Sequence, residues 1–328
     1  MDKLKEIVRG KRVQLCCHWD ADGVTSGAMI YHLIRDEVKE LTTISKGKRF
    51  IIEPEDLGDV DVVICVDIQP GDIFDKKVVY IDHHPADFLA KCDYVLHDEH
   101  RQSCSLLIYQ DLLEDKTNPY FIFLALLGYF GDQGKRDHIP KELYVNAMNF
   151  IPELMIKRNS YYGDGHYLDI EKYVSALNTG KRMHWKGDIP LELLKCIDSF
   201  EPFIHNLHPL AKQLQSYKLQ LREHYNKQYE INEVNGFDIV ILQCENNIQG
   251  VIAARNMKNK PIIVLNQMDG EMIGSMRVPD EMDFDAGKFL DKFNGKIESY
   301  IGGGHEKAGG FTVKLKEFNQ WVEMLKEI

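Results

Sequence analysis

The sequence predicts an α/β protein, with an N-terminal parallel-sheet domain joined by a long helix to a smaller C-terminal α/β domain. Three observations support this fold class. Short apolar strands alternate with helical stretches in the first half, residues 210–230 contain no Gly or Pro, and a second alternation begins at residue 237. Such alternation is typical of parallel sheets covered by helices. We place the domain limits at 1–188, at 189–232 for a helical linker, and at 233–328.

The elements of the first half follow from apolar runs and helical spacing. Apolar runs that end in acidic or imidazole residues predict strands at 12–18, 61–67 and 77–84. Helical stretches are predicted at 24–38, 103–115, 119–130 and 140–158.

In the second half, the long helix is predicted over 210–230. Strands are predicted at 237–244, 261–267 and 271–278, and helices at about 248–258 and 284–293. A glycine-rich turn at 302–304, a strand at 310–315 and a terminal helix complete the prediction.

Composition and charge restrict the class of protein. The net charge of −11 argues against a protein that coats duplex DNA through a broad basic face. The longest apolar run, 120–130, is too short to cross a bilayer. The N-terminal residues lack the apolar core of a secretory signal, and the seven cysteines contain no CxxC pair. We therefore expect a cytoplasmic protein that does not associate with membranes.

Side chains that can bind metal ions follow the predicted strands. They are His18, Asp20 and Asp22 in CHWDADG, then Asp67, then Asp82, His83 and His84, and finally Asp132 after the apolar helix. Because ligand sites in parallel sheets lie at the carboxyl ends of strands, we expect these side chains to meet. Mixed carboxylates and imidazoles suit manganese, iron, zinc or magnesium. Two cations about 3.5–4 Å apart, bridged by a carboxylate, serve the hydrolysis of phosphate esters.

Three of these clusters also have a structural alternative. DADG alone is more often a turn, Asp67 is in a position that commonly caps a strand, and GDQG at 131–134 is compatible with a helix C-cap. The pair His83-His84 before Pro85 has no obvious role in a helix or strand. Together and in this order, the clusters are much harder to explain as structure alone.

The ordered motifs resemble those of the DHH phosphoesterases. The matching residues are His18-x-Asp20-x-Asp22-Gly23, Asp67, Asp82-His83-His84 and Gly131-Asp132. The sequence GGGHEKAGG at 302–310 is similar to the glycine-histidine motif of the DHH-associated domain, so the resemblance spans residues from about 12 to 313. It implies two Mn²⁺ ions as cofactors, with Mg²⁺ or Co²⁺ as substitutes.

The resemblance also implies a role for each residue. One manganese ion would be held by His18, Asp20 and Asp67, and the other by Asp22, Asp67, His83 and Asp132, with Asp67 as the bridge. The catalytic residues would be His84, Asp82 and Asp67. His84 would lie beside the scissile phosphate, and Asp82 would orient the histidines without binding metal itself.

Substrate binding is assigned by resemblance to the C-terminal domain. Gly303, Gly304 and His305 in the GGGH turn would let backbone N–H groups and an imidazole approach phosphate. Ser275 and Arg277 in GSMR are similar to the family's Ser-x-Arg strand, which grips phosphate.

A further stretch, residues 250–265, resembles the corresponding segment of RecJ-type single-strand nucleases. The resemblance places Arg255 near a helix N-terminus, a natural anion site. The opening HWDADGVTSGAMI is similar to that of archaeal RecJ-like nucleases.

The expected function is a manganese-dependent phosphodiesterase that trims single-stranded DNA or RNA from the 5′ end. The alternative is an enzyme like the nanoRNases, acting on short oligoribonucleotides, cyclic dinucleotides or phosphoadenosine nucleotides. A third interpretation, a non-catalytic replication scaffold, predicts lost metal ligands, whereas every ligand position here is filled.

The chain departs from full bacterial RecJ, because 328 residues leave no room for the additional oligonucleotide-binding domain. Its acidic charge favours short or single-stranded ends, with a partner supplying further affinity. Tyr161, Tyr162, Tyr167 and Trp185 are candidates for base stacking, although such aromatics are more often core residues. The sequence leaves open whether DNA or RNA is preferred and from which end a strand is digested. It also leaves open self-association into a homo-oligomer and a replication or repair protein as partner.

Overall fold

The computed structural model describes residues 1–47, 50–132, 134–159 and 166–327. The chain divides into two compact units, Met1–Lys218 and Leu219–Ile328. The first carries a parallel sheet and the second a separate, mostly antiparallel sheet, which confirms the predicted fold class.

The first unit contains short strands and longer helices. Its strands are β1 (Arg12–His18), β2 (Glu40–Lys46), β3 (Ile51–Ile52), β4 (Val62–Val66), β5 (Gln69–Pro70), β6 (Lys77–Asp82), β7 (Tyr94–His97), β8 (Lys157–Asn159) and β9 (His166–Leu168). Its helices are α1 (Asp2–Val8), α2 (Ala21–Ile34), α3 (Cys104–Asp111), α4 (Pro119–Gly131), α5 (Lys141–Phe150), α6 (Glu171–His184), α7 (Asp188–Cys196), α8 (Glu201–Ile204) and α9 (Pro209–Tyr225). The division between the two units falls within α9.

The main sheet of the first unit runs in the order β2-β1-β4-β6-β7, with all its neighbouring strands parallel. All five residues of β4 are buried, as expected for a parallel strand covered on both faces. The core on one face joins the sheet to α2, α3 and α4. This packing places the start of α2 and the ends of β1, β4 and β6 at one edge of the sheet.

Several predicted limits in the first unit were wrong. The edge strands β2 and β7 were not predicted, because their alternating or partial burial lacks a continuous apolar run. The helix predicted over 140–158 ends at Phe150, since Pro152 disfavours helical backbone in the preceding residue. Helix α2 begins earlier than expected because the Asp20 side chain caps it by accepting the Gly23 N–H at 3.0 Å.

The second unit is built on a sheet in the order β10-β11-β12-β13-β15-β14. The strands are β10 (Asn232–Val234), β11 (Phe237–Leu242), β12 (Ile262–Met268), β13 (Glu271–Arg277), β14 (Ile301–His305) and β15 (Ala308–Lys314). The helices are α10 (Gln249–Asn256), α11 (Ala286–Asp291) and α12 (Phe318–Glu327). Among the described strands of this sheet, β11 and β12 pair in parallel and the other neighbours are antiparallel.

Two predictions for the second unit need correction. Residues 302–304, expected to form a turn, belong to strand β14, where Gly303 pairs with Gly310 and Gly304 with Gly309. The turn lies instead at residues 306–307. The long helix predicted over 210–230 ends at Tyr225. Within the described ranges, the helices are too short or too polar to span a membrane.

Candidate metal centre

Eight metal-capable side chains predicted from the sequence lie at the carboxyl edge of the parallel sheet or beside it. They are His18 on β1, Asp20 and Asp22 around the start of α2, Asp67 after β4, Asp82, His83 and His84 at the end of β6, and Asp132 after α4. Their ligand atoms form three overlapping groups with separations of at most 4.8 Å, two of which share Asp67.

The first group contains His18, Asp20 and Asp67. Nδ1 of His18 lies 3.0 Å from Oδ2 of Asp20 and 3.6 Å from Oδ2 of Asp67. The Asp20 side chain also caps α2, so one carboxylate both starts the helix and faces the imidazole. The same three residues were predicted to hold one cation.

The second group contains Asp22, His83 and Asp132. Nε2 of His83 lies 3.3 Å from Oδ2 of Asp132, 3.8 Å from Oδ2 of Asp22 and 3.6 Å from Oδ1 of Asp67. Asp67 therefore directs one oxygen to each group. This is the arrangement that a bridging carboxylate requires.

Asp22 is held by the start of α3. Its Oδ2 accepts the Cys104 N–H at 2.6 Å and its Oδ1 accepts the Ser105 N–H at 2.9 Å. Helix N-termini favour negative charge because their first N–H groups lack partners within the helix. A Cβ atom at Gly128 would lie 2.5 Å from Asp22 Oδ1, so glycine is required where α4 passes the carboxylate.

The hydrogen bond of His83 fixes the tautomer of its imidazole. Nδ1–H of His83 donates to the carbonyl oxygen of Arg101 at 3.0 Å. In the neutral ring, Nε2 then carries the lone pair, and this nitrogen faces Asp22, Asp67 and Asp132. The backbone carbonyl therefore prepares His83 as a metal ligand.

The pKa values of two histidines are both raised, because neighbouring carboxylates outweigh the effect of burial. Burial lowers the pKa of His18, but the carboxylates of Asp20 and Asp67 outweigh it and raise this pKa to about 9. Burial also lowers the pKa of His84, but its hydrogen bond to Asp82 and the charge of that residue raise the pKa to about 9. In the metal-free protein, both imidazoles are therefore protonated at neutral pH.

The carboxylates at the centre repel one another. Burial, with the nearby charge of Asp132, raises the pKa of Asp22 to about 6, although His83 acts against this. Burial and the charge of Asp22 raise the pKa of Asp67 well above its ordinary value. Clustered buried carboxylates are unfavourable unless positive charge compensates for them.

The donor set fits divalent cations. Oδ1 of Asp67 is buried and accepts no hydrogen bond from the described part of the chain, which is costly for a carboxylate oxygen. Carboxylate oxygens and imidazole nitrogens are ligands that manganese and magnesium use. Asp67 also has a φ of 56°, a strained backbone conformation of the kind found at functional sites.

Several groups that complete the centre carry no signal in the sequence. These are the backbone groups of Arg101, Cys104 and Ser105, the Lys181 side chain, whose Nζ lies 3.8 Å from Asp20 Oδ2, and the Phe50 ring beside His18 and His84. Most contribute through backbone atoms or long-range contacts, which no local motif encodes.

Two predicted substrate-binding residues lie together on β13 of the second unit. Nη1 of Arg277 donates to Ser275 Oγ at 3.2 Å and to the Met276 carbonyl at 2.8 Å. A Cβ atom at Gly250, in the first turn of α10, would lie 3.4 Å from both Arg277 Nη2 and Ser275 Oγ. The start of this helix therefore lies directly against the Ser-x-Arg pair.

Arg255 is not where the sequence placed it. The residue lies in the last turn of α10, at the opposite end from the N-terminus. Its guanidinium stacks over the Tyr225 ring at 5.9 Å. The helix begins at Gln249, close to the predicted start, so the error was to assign a residue six positions further along to its N-terminus.

The remaining predicted residues lie in the β14–β15 hairpin or among the aromatics. Gly303, Gly304 and His305 are on β14. Trp185 packs against buried Trp19, with ring centroids 6.1 Å apart, and Tyr167 is half-buried on β9. Tyr161 and Tyr162 lie outside the described residues.

Two family models match the chain. The model of the DHH family, N-terminal domain, covers residues 12–129, and that of the DHHA1 domain covers residues 240–328. Together they cover more than half of the sequence. No curated protein matches it.

The fold is similar to solved RecJ structures. RecJ of Thermus thermophilus in complex with Mn²⁺ is 18% identical with a TM-score of 0.65, over 99% of this chain and 53% of that chain. An exonuclease RecJ bound to manganese is 17% identical with a TM-score of 0.63, over 99% of this chain and 91% of that chain. The Thermus protein in complex with Mg²⁺ is 17% identical with a TM-score of 0.60, over 99% of this chain and 50% of that chain. This chain spans about half the length of Thermus RecJ.

The α/β fold, the matched domains and the carboxylate–imidazole cluster define a metal-dependent hydrolase. The chain belongs to the DHH family, and its fold is like that of RecJ. It is therefore a DHH-family phosphoesterase.

Proposed function

We propose that this protein is a manganese-dependent phosphodiesterase that removes nucleotides from the 5′ end of single-stranded DNA or RNA. The observation that carries the proposal is Asp67, whose two oxygens face the two groups of ligands. When bound there, two Mn²⁺ ions would supply water activation and neutralisation of the phosphoryl oxygens. The residues predicted as ligands fill both groups, which disfavours a scaffold without activity.

The protein's own residues suit the other tasks of phosphodiester hydrolysis. Asp82 accepts the Nδ1–H of His84 at 2.8 Å and so fixes the orientation of that ring. Nε2 of His84 is then the nitrogen from which a proton would pass to the leaving oxygen. A pKa of about 9 keeps this proton available at neutral pH.

Arg277 supports a substrate with several phosphates. The residue is half-buried, and burial lowers the pKa of its guanidinium. Among the described residues, no carboxylate lies within ion-pair distance of it, and its hydrogen bonds go to Ser275 and a backbone carbonyl. A half-buried cation without an acidic partner favours anion binding, and guanidinium groups match phosphate oxygens well. We propose that Ser275 and Arg277 hold a phosphate of the strand.

The GGGH segment offers a second contact for phosphate. A Cβ atom at Gly303 would meet no atom within 4 Å, so packing does not require glycine there. Close approach of a phosphate to the backbone would require it. We propose that Gly303, Gly304 and His305 contact the strand, and that Arg255 adds a more distant charge.

The test is a time course with Mn²⁺ and DNA or RNA strands of roughly 2 to 30 nucleotides, labelled at either end. We expect mononucleotides to be released from the 5′ end of longer strands. Hydrolysis restricted to the shortest oligoribonucleotides, or of cyclic dinucleotides and phosphoadenosine nucleotides, would instead identify the small-substrate alternative. The Asp67→Asn variant controls for contaminating nucleases.

We propose a cytoplasmic location from the seven-cysteine pattern, and all seven thiols are free in the structure. The acidic net charge suggests that a replication or repair protein, or a second copy of the chain, adds affinity for the strand. Size-exclusion chromatography with light scattering measures the oligomeric state.

A further inference from the structure

The Phe50 ring lies between two histidines of the candidate centre. Its centroid is 4.8 Å from that of His18 at an interplanar angle of 74°, and 4.8 Å from that of His84 at 73°. These are the distances and angles of favourable edge-to-face aromatic contacts. We propose that Phe50 is a positioning residue that sets the ring planes of both histidines, an inference that rests on the proposed function.

The fold anchors Phe50 to the segment that follows Asp67. Phe50 directly precedes strand β3, which pairs in parallel with β5, and β5 begins two residues after Asp67. The Gln69 N–H donates to the Phe50 carbonyl at 3.3 Å. The Gly71 N–H donates to the Ile52 carbonyl at 2.7 Å, an approach that a Cβ atom at Gly71 would block at 2.5 Å. The ring is therefore held relative to the bridging carboxylate.

The backbone of Phe50 is itself strained. Its φ is 55°, in the left-handed region that bulky residues rarely adopt. Non-glycine residues keep such conformations when the surrounding structure enforces them, and they cluster at functional sites. Since β3 and β5 enforce this one, the ring contact with the two imidazoles is a product of the fold.

The hydrogen bonds of the two histidines do not fix their rings completely. His18 is directed through Nδ1 towards Asp20, and His84 through Nδ1 towards Asp82. A contact at one atom leaves the ring free to rotate about that contact. The His18 ring also lies 6.3 Å from that of Trp19, and the His84 ring lies 4.4 Å from that of His83, between ring centroids. Phe50 meets both imidazoles edge to face and so links their two ring planes. Groups that orient ligand histidines typically change metal affinity by roughly 10–100-fold when they are lost.

The test replaces the ring with an aliphatic side chain. For Phe50→Leu we expect calorimetric titration to show an about tenfold higher Kd for one of two Mn²⁺ ions, that of the His18 group. Phe50→Tyr keeps the ring and should bind both ions like wild type. Phe121→Leu, which changes another half-buried phenylalanine near the start of α4, is the matched control.

A second measurement needs no metal. In the presence of EDTA, the ring-proton NMR resonances of His18 and His84 should move in Phe50→Leu but not in Phe121→Leu, because an aromatic ring current is lost. If Phe50→Leu does not fold, Phe50→Met fills the space with a flexible chain and repeats the test. If both fail to fold, Phe50 is a structural residue and the proposal is wrong.

Two further outcomes would overturn the inference. One is wild-type Mn²⁺ affinity together with unmoved histidine resonances in Phe50→Leu. The other is a wild-type protein that binds no Mn²⁺. A wild-type protein that binds two Mn²⁺ ions but hydrolyses no strand would contradict the proposed function and leave the role of Phe50 intact.

Discussion

Oδ1 of Asp82 accepts three hydrogen bonds from the two histidines that follow it. The donors are the His83 N–H at 2.6 Å, the His84 N–H at 3.0 Å and the His84 Nδ1–H at 2.8 Å. The other oxygen accepts the Tyr80 hydroxyl at 2.9 Å. Both oxygens of this buried carboxylate are therefore occupied in orienting neighbours. We expect Asp82 to act on the reaction through His84 and not as a cation ligand.

The first prediction concerns the variant Asp82→Asn. The Asp82 carboxylate raises the pKa of His84 to about 9, so removing its charge should lower this pKa. The expected loss in kcat is about 10–100-fold, since the imidazole loses both orientation and its proton at neutral pH. NMR titration of the metal-free protein measures the pKa. An unchanged midpoint for His84 would contradict the assignment, and His32, which does not contact Asp82, is the internal reference.

The same shift predicts a dependence of stability on pH. His84 has a folded-state pKa above its ordinary value of about 6.5, so it stabilises the metal-free protein. This contribution is fully present below about pH 6.5 and is lost as the pH rises through about 9. Urea unfolding in EDTA across this range should show a smaller decline for Asp82→Asn than for wild type.

The second prediction is that Asp67→Asn lowers the rate of hydrolysis and raises the stability of the metal-free protein. Asparagine keeps the shape of the side chain and tolerates the positive φ at this position, but it cannot bridge two cations. We expect turnover to fall by at least about a thousandfold, and Asp67→Ala to abolish it. The measurement is the rate of hydrolysis of a labelled strand with Mn²⁺.

The expected gain in stability of Asp67→Asn follows from the pKa of Asp67. Burial and the charge of Asp22 raise it, so the ionised carboxylate destabilises the metal-free fold at neutral pH. Asp67→Asn should therefore raise the melting temperature in EDTA. Near-normal activity would refute the bridging role, and a lower melting temperature would refute the electrostatic argument.

The third prediction is that Mn²⁺ binding releases protons. The pKa of His18 is raised to about 9, so its imidazole is protonated at about pH 7.5 and must lose that proton to bind a cation. Affinity for Mn²⁺ should therefore rise with pH up to about 9. Calorimetry in two buffers with different ionisation enthalpies counts the released protons. Equal apparent binding enthalpies in the two buffers would contradict the prediction.

The placement of the central carboxylates and imidazoles could be predicted from the sequence because each directly follows an apolar strand or helix. Topology alone then brings His18, Asp67 and His83 to one edge of the sheet. The Ser-x-Arg pair on β13 was predicted differently, from its sequence motif.

The supporting contacts could not be predicted. The amides that hold Asp22 come from residues 104 and 105, and Phe50 reaches the centre only because of the short β3–β5 pairing. Such contacts join distant parts of the chain through the backbone, or through a side chain of ordinary type. Arg255 shows the opposite error, since a motif was assigned to the wrong end of a short helix.

The last prediction separates the three glycines of GGGH. A Cβ atom at Gly302 would lie 2.3 Å from the Tyr300 hydroxyl, and one at Gly304 would lie 2.5 Å from the Ala308 carbonyl. Gly304 also has a φ of +142°, whereas Gly303 has open space around the Cβ position. Packing therefore requires glycine at two positions and not at the third.

We expect Gly303→Ala to leave the free energy of unfolding within about 0.5 kcal/mol of wild type. Its KM for a labelled strand should nevertheless rise about tenfold, because a Cβ atom would keep phosphate away from the backbone. Gly304→Ala should lower the melting temperature, since it creates a steric clash. Thermal unfolding and steady-state kinetics of the two variants provide the comparison. An unchanged KM for Gly303→Ala would show that phosphate does not approach the chain at this glycine.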